Sequence, residues 1–151
     1  MRVGFFGGVA TVTGSKFLVE SGDTRVLIDC GLFKGLKNLR LRNWAPLPFA
    51  AESVDAVILT HAHIDHSGYL PLFVKNGFKG PIYCSEPTRD VCRVLLKDCG
   101  RLQEEDARFA NRHGFSKHKP AKPLYTEADA EKALQQLQPR PLAMEHTVGG
   151  M

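Results

Sequence analysis

The stretch Val54-Asp55-Ala56-Val57-Ile58-Leu59, together with the histidine-rich segment after it, constrains this chain more than any other feature. The run is apolar and rich in β-branched residues, the composition of a buried strand. It stops at Thr60, and the next residues are His61-Ala62-His63-Ile64-Asp65-His66-Ser67-Gly68. A buried strand that ends in three imidazoles and a carboxylate must deliver those side chains to one end of a sheet. In an extended segment, residues two apart point to the same side, so His61 and His63 can reach one point. Asp65 and His66 come next as the chain turns into a helix, and they can face a second point nearby.

The remaining segments fit around that strand. Arg2–Phe6, Lys16–Glu20 and Arg25–Ile28 read as strands, and Ser21-Gly22-Asp23 is a hairpin turn between the last two. The segment 31–48 reads as irregular or partly helical, broken by Pro46 and Pro48. A helix is expected from about His66-Ser67 to Asn76, stopped by Gly77. Pro81–Cys84 reads as a short strand. A long helix should start near Pro87, a tolerated first-turn proline, with Val91, Val94, Leu95, Leu102, Ala107 and Ala110 as its apolar stripe and a kink or break at Gly100. Residues 113–124 form a basic, proline-containing loop. A last helix opens at Thr126, which can cap it, with acids suited to the positive end of the dipole, and ends before Pro139. Strands alternating with helices give an α/β class.

The bulk composition allows this. The 151 residues are 43% hydrophobic and 24% charged, enough for a packed core. No apolar run approaches the ~20 residues that cross a bilayer, so no membrane partner is expected. The apolar start, Met1 to Phe6, has one basic residue and is interrupted by Gly4, Gly7 and Gly8, which reads as a first strand and not as a signal peptide. Four cysteines, Cys30, Cys84, Cys92 and Cys99, form no C-x-x-C pair. Free thiols in a reducing cytoplasm are expected, with Cys92 and Cys99 as small apolar fillers on one helix face. The net charge of +4 concentrates in two groups. Lys34, Lys37, Arg40 and Arg42 form one; Arg112, Lys117, Lys119 and Lys122 form the other, with His113 and His118 among them. Such groups suit an anionic partner such as nucleic acid, and are also found on ordinary solvated surfaces.

For any single histidine, a solvated or hydrogen-bonded ring is the usual explanation. The spacing of His61, His63, Asp65 and His66 at a strand end favours metal ligation instead. Imidazole and carboxylate are good ligands for Zn²⁺, and also for Mn²⁺ or Fe²⁺. His113 and His118, in the basic loop, and His146, in a late segment without a matching pattern, are poor ligand candidates.

The His-x-His-x-Asp-His pattern after a strand resembles the metallo-β-lactamase superfamily. Asp29, closing the strand Val26-Leu27-Ile28, resembles that superfamily's first motif. The segments Gly7–Ser15, Leu27–Phe33, Thr60–Leu70, Gln103–Asn111 and Pro123–Ala130 are similar to its RNA-processing β-CASP branch, which includes the pre-mRNA 3′-end endonuclease subunit, its prokaryotic homologues and ribonuclease J. The match runs from Arg2 to about Pro141. The resemblance implies a two-ion hydrolase, with zinc expected and manganese as the other option. His61 and His63 would bind one ion, and Asp65 and His66 the other. Asp65 would also position the water, and Asp29 would support the ligands from behind. RNA is the implied substrate, with Lys34, Lys37, Arg40, Arg42, Lys117 and Lys119 as backbone contacts, and a homodimer is one arrangement it allows.

The same pattern calls for more residues: a Gly-His-x-x-Gly-Ser segment, a bridging Asp, a final His and the β-CASP insertion. None of them occurs in these 151 residues. The expectation is therefore an α/β chain forming the incomplete N-terminal half of an αββα sandwich over 1–151, with no β-CASP domain and with 143–151 as an unrelated tail. One sheet face would be left open, and the chain alone would be inactive or nearly so. Two other readings compete with a ribonuclease: a thioesterase or lactonase of the same superfamily, against which Gln103–Asn111 argues, and a non-catalytic RNA-binding remnant.

Overall fold

The computed structural model describes residues 1–116 and 119–149. Its centre is one six-stranded sheet whose spatial order follows the chain: β1 (Arg2–Gly7), β2 (Lys16–Ser21), β3 (Thr24–Ile28), β4 (Ala56–Ile58), β5 (Ile82–Cys84) and β6 (Leu137–Pro139). The first three strands are antiparallel, and β3 to β6 run parallel. The tight turn at Gly22, with φ of 56°, allows the β2–β3 hairpin. Parallel neighbours need crossovers, and helices supply them: α1 (Lys37–Leu41), α2 (Ile64–Ser67), α3 (Leu70–Lys75), α4 (Glu86–His113) and α5 (Glu127–Leu134). The α/β class read from the sequence is the one found. No helix among the described residues is long and apolar enough to cross a membrane.

Period-two alternation sorts the strand residues onto two faces. The row Leu18, Leu27, Val57, Ile82 and Leu137 is buried and packs with Leu70, Phe73, Cys92, Leu96 and Ala130 of the helices. The row Phe5, Phe17, Ile28, Ile58 and Tyr83 lies on the opposite face. That face is incompletely covered: Phe5 is 62% exposed and Ile58 39%. Leu142, His146 and Val148 share a shallow recess with Ile58 and Tyr83, so the segment after β6 lies along this open face. Gly150 and Met151 fall outside the described residues.

Three expectations change. The helix expected from His66 is two short helices, and the first begins at Ile64. Asp65 and His66 therefore sit in a helical first turn. Second, α4 runs unbroken through Gly100. The glycine serves close packing: a Cβ there would stand 2.8 Å from the backbone of Thr126 and Glu127, where α5 begins. Third, that contact sets which face of α4 is covered. The buried residues are Thr88, Cys92, Leu96 and Gly100, four apart, while Val91, Val94 and Leu102 of the expected stripe are exposed. At the start of α5 the expected cap is present in full. Thr126 Oγ1 accepts from the Asp129 N–H at 3.1 Å, and Asp129 accepts from the Thr126 N–H at 3.0 Å.

Candidate metal centre

The parallel strands end on one edge of the sheet, the edge where open α/β sheets bind ligands. Asp29 follows β3 there, and Thr60 to His63 follow β4. Asp29 is buried and takes a left-handed backbone, φ 58°, a conformation uncommon outside glycine and best tolerated by Asn and Asp. Its N–H donates to the Ile58 carbonyl at 2.9 Å, which locks the end of β3 to β4.

Backbone hydrogen bonds then tie three loops together. The Ser15 N–H donates to the Asp65 carbonyl at 2.9 Å, the Cys30 N–H to that of His66 at 2.7 Å, and the Leu32 N–H to that of Ile64 at 3.0 Å. Gly31 sits where its Cα faces the Asp65 carbonyl so closely that a Cβ has no room. The segments before β2 and after β3 thus supply donors that satisfy carbonyls of the α2 turn, and the turn's position is set by the start of β2 and the end of β3.

The Asp29 carboxylate is the hub. It accepts from the Thr60 N–H at 2.9 Å, from the Thr60 hydroxyl at 2.9 Å, from the Ser15 hydroxyl at 3.2 Å and from His66 Nδ1 at 2.7 Å. With its Nδ1 proton committed to Asp29, His66 keeps a lone pair on Nε2. Thr60 Oγ1 also lies 2.9 Å from His61 Nδ1. Since the Thr60 proton goes to Asp29, His61 donates from Nδ1 and keeps its Nε2 lone pair. That Nε2 is 3.2 Å from His63 Nδ1, and the His61 and His66 ring centres are 4.0 Å apart. His66 Nε2 stands 3.6 Å from Asp65 Oδ2. Partial burial, and then the neighbouring His66 and His63 rings, hold the His61 pKa below its ordinary value, which favours the neutral, ligating form.

The four candidate ligands thus stand close together, with the His61 ring near both His63 and His66, and His66 near Asp65. Soft-to-borderline nitrogen donors with one carboxylate suit Zn²⁺ in kind. Among the described residues, no three His, Cys, Asp or Glu side chains form a group that could hold one ion. One ion therefore finds at most two donors among them, short of the three or four that grip zinc firmly.

The sequence did not single out Ser15, Thr60 or Lys16. Ser15 and Thr60 stand beside the motifs, and an acceptor with the lone pairs of Asp29 needs such donors. Lys16, in β2, is almost fully buried at 1% exposure. Its ammonium donates to the Gly31 carbonyl and stands 4.5 Å over the Tyr69 ring. Nothing in the alternation of Lys16–Glu20 marks it as interior.

The basic residues stand on other segments than the histidines. Lys34, Lys37, Arg40 and Arg42 are exposed on the chain after Phe33 and along α1, and Lys119 is exposed after α4. Lys117 lies outside the described residues. Arg42 stacks its guanidinium 4.1 Å from the Phe33 ring centre.

A model of the metallo-β-lactamase superfamily matches residues 11–141. Ribonuclease TTHA0252 of Thermus thermophilus is 37% identical over 139 residues, covering 92% of this chain and 28% of that protein. Transcription termination factor FttA of Methanocaldococcus jannaschii is 40% identical over 108 residues, covering 72% of this chain and 17% of that one. The chain thus spans less than a third of the length of these relatives. Among solved structures, the subclass B3 metallo-β-lactamase MEM-A1 from a soil metagenome library superposes with a TM-score of 0.50, over 91% of this chain and 44% of its own, at 17% identity. That likeness is one of fold alone.

Proposed function

The chain belongs to the metallo-β-lactamase superfamily, and on that premise we propose that it carries the first half of a two-ion hydrolytic centre that cleaves RNA phosphodiester bonds. One observation carries the reading: the buried Asp29 carboxylate holds Nδ1 of His66 and, through Thr60, Nδ1 of His61, so both imidazoles turn Nε2 toward the site. A ligating histidine whose other nitrogen is held by a carboxylate is the usual second-layer arrangement of zinc sites.

In this assignment His61 and His63 hold one ion, and Asp65 and His66 the other. Zinc is the expected metal, with manganese as the alternative. Bound there, the ions supply Lewis-acid stabilisation of phosphoryl oxygens and a water nucleophile at neutral pH. Asp65 orients that water, and Asp29 holds the His66 ring and its tautomer. The relatives named as a ribonuclease and a transcription termination factor support an RNA substrate over a small ester. Lys34, Lys37, Arg40, Arg42 and Lys119 would meet the RNA backbone, and a homodimer is compatible with this reading. With two donors per ion, these 151 residues bind zinc weakly and cleave RNA at background rate on their own.

Zinc titration of the purified chain beside a His61→Ala/His63→Ala variant tests this. The expected result is weak, saturable zinc binding that the double substitution reduces. Equal zinc binding by both proteins would sink the ligand assignment. A panel of thioesters, lactones and an RNA oligonucleotide tests the substrate: His61-dependent turnover of an ester would transfer the chain to the thioesterase or lactonase class.

A further inference from the structure

The positive charge of this molecule is unevenly neutralised. Along α4, cations meet acids: Arg89 pairs with Glu86 and Asp90, Arg101 with Asp98 and Glu105, and Lys97 with Glu131 of α5. Among the described residues, no ion pair involves Lys37, Arg40, Lys119 or Lys122. These cations stand on two segments far apart in sequence, α1 with the turn that follows it, and the chain after α4. Those segments face each other across an open groove of about 740 Å³, with Leu41 and Trp44 on one wall and Lys119, Pro120 and Lys122 on the other. Trp44 and Lys122 also line a second, adjoining recess next to Gln103 and Asp106. Asp106 is the one acid among the residues lining the two.

Trp44 is the only tryptophan in the chain, and it is 58% exposed. The indole stands open to solvent in a groove that Lys119 and Lys122 also line. Its backbone is nonetheless held. The preceding residue, Asn43, is buried, and its side-chain amide accepts from the Phe33 N–H at 2.8 Å and donates to the Phe33 carbonyl at 2.8 Å. Phe33 closes the loop that begins at Asp29. The groove is therefore built onto the same loop that orients His66, so a strand bound in it would keep a fixed register to the histidines.

We propose that this groove is a single-stranded RNA subsite, in which one base stacks on the Trp44 indole while the neighbouring phosphates meet Lys119 and Lys122. An aromatic plane with flanking cations binds single strands by this division of labour: the ring takes the base without regard to sequence, and the cations take the backbone. The inference rests on the RNA reading above for its choice of ligand, and it adds where a strand would lie outside the metal centre.

The test uses the 151-residue chain, unlabelled dodecauridylate and EDTA, which prevents metal-dependent cleavage and separates binding from hydrolysis. Because Trp44 is the sole indole, its fluorescence reports on this groove alone. Saturable quenching on RNA addition is expected. Trp44→Ala should weaken binding about tenfold, read by anisotropy of a fluorescein-labelled copy of the same RNA, and Trp44→Phe should restore part of the loss. Lys119→Ala/Lys122→Ala should lower the slope of log affinity against log salt by about 1.4, at about 0.7 per phosphate on a single strand. Heparin, which has the charge and no bases, should compete without quenching. RNA that binds without quenching, and with equal affinity for Trp44→Ala, would overturn the subsite and leave the ribonuclease reading standing. Absence of RNA binding at low salt, or equal quenching by heparin, would overturn it too. Conversely, His61→Ala/His63→Ala should leave the quenching unchanged, so loss of the hydrolytic reading would not remove the groove.

Discussion

The Nδ1 atom of His66 stands 2.7 Å from Oδ2 of Asp29, a residue 37 positions earlier in the chain. That bond joins the end of β3 to the α2 turn and sets the imidazole's tautomer in the same stroke. It also explains why Asp29 tolerates a left-handed backbone: four donors from Ser15, Thr60 and His66 hold its carboxylate.

Asp29→Asn separates the charge of that carboxylate from its shape. Asparagine accepts the same φ, so the loop should persist. Zinc affinity should drop by about 10- to 100-fold, the usual cost of losing a carboxylate behind a ligating histidine. Calorimetric zinc titration of the two proteins checks this, and unchanged affinity would remove Asp29 from the site.

Gly31→Ala should damage the fold and the site together. The added methyl points at the Asp65 carbonyl with no space to occupy, so the loop must move away from the α2 turn. A loss of at least about 2 kcal/mol in denaturant unfolding is expected. Weaker zinc binding should accompany it. Wild-type stability would show that the two loops do not meet as described.

Gly100→Ala distinguishes packing from propensity. In an isolated helix, alanine for glycine gains about 1 kcal/mol. Here its Cβ would stand 2.8 Å from the backbone at the start of α5, so the substitution should destabilise by about 1–3 kcal/mol. A stabilised variant in urea unfolding would mean that α4 and α5 do not approach at Gly100.

Lys16 should leave a pH signature. Burial lowers its pKa from 10.5 to about 8, with Cys30 opposing and Arg42 adding to the shift. Between those values the unfolded chain binds the proton and the folded chain does not, so this group makes stability rise with pH from about 8 to 10.5. Below pH 8 its penalty is present in full. A lowering from 10.5 to about 8 corresponds to roughly 3 kcal/mol. Cys30 and Tyr69 are both pushed up to about 12 by burial and work in the opposite direction at alkaline pH. The comparison is therefore with Lys16→Met: the stability of the native chain relative to the variant should rise across that window, and a flat difference would show Lys16 to be solvated.

Much of this was legible in residue order alone, because it is local. The α/β class, the strand leading into His61, the turn at Gly22 and the Thr126 cap each depend on neighbours within a few positions, where period and propensity act. So does the placement of His61, His63, Asp65 and His66, which lie within one strand end and one helical turn. The buried face of α4 was legible only at Cys92, which its spacing from Cys99 already placed in the core. The apolar residues of that helix lie on more than one side, and only the approach of α5 at Gly100 selects Leu96 over Val94 and Leu102. Lys16 escaped notice for a related reason: its surroundings come from Tyr69, Gly31 and Phe33, none of them its neighbour in sequence.

The sequence by itself thus determined which imidazoles and carboxylate come together and at which end of a strand. The tertiary structure decided how they are held, because the groups that orient them come from chain segments tens of residues away: Asp29 behind His66, Thr60 between Asp29 and His61, and Gly31 beneath Asp65. A local pattern fixes direction and spacing along one element. Hydrogen-bond partners and burial are set by which elements meet, and that depends on packing the whole sheet against its helices.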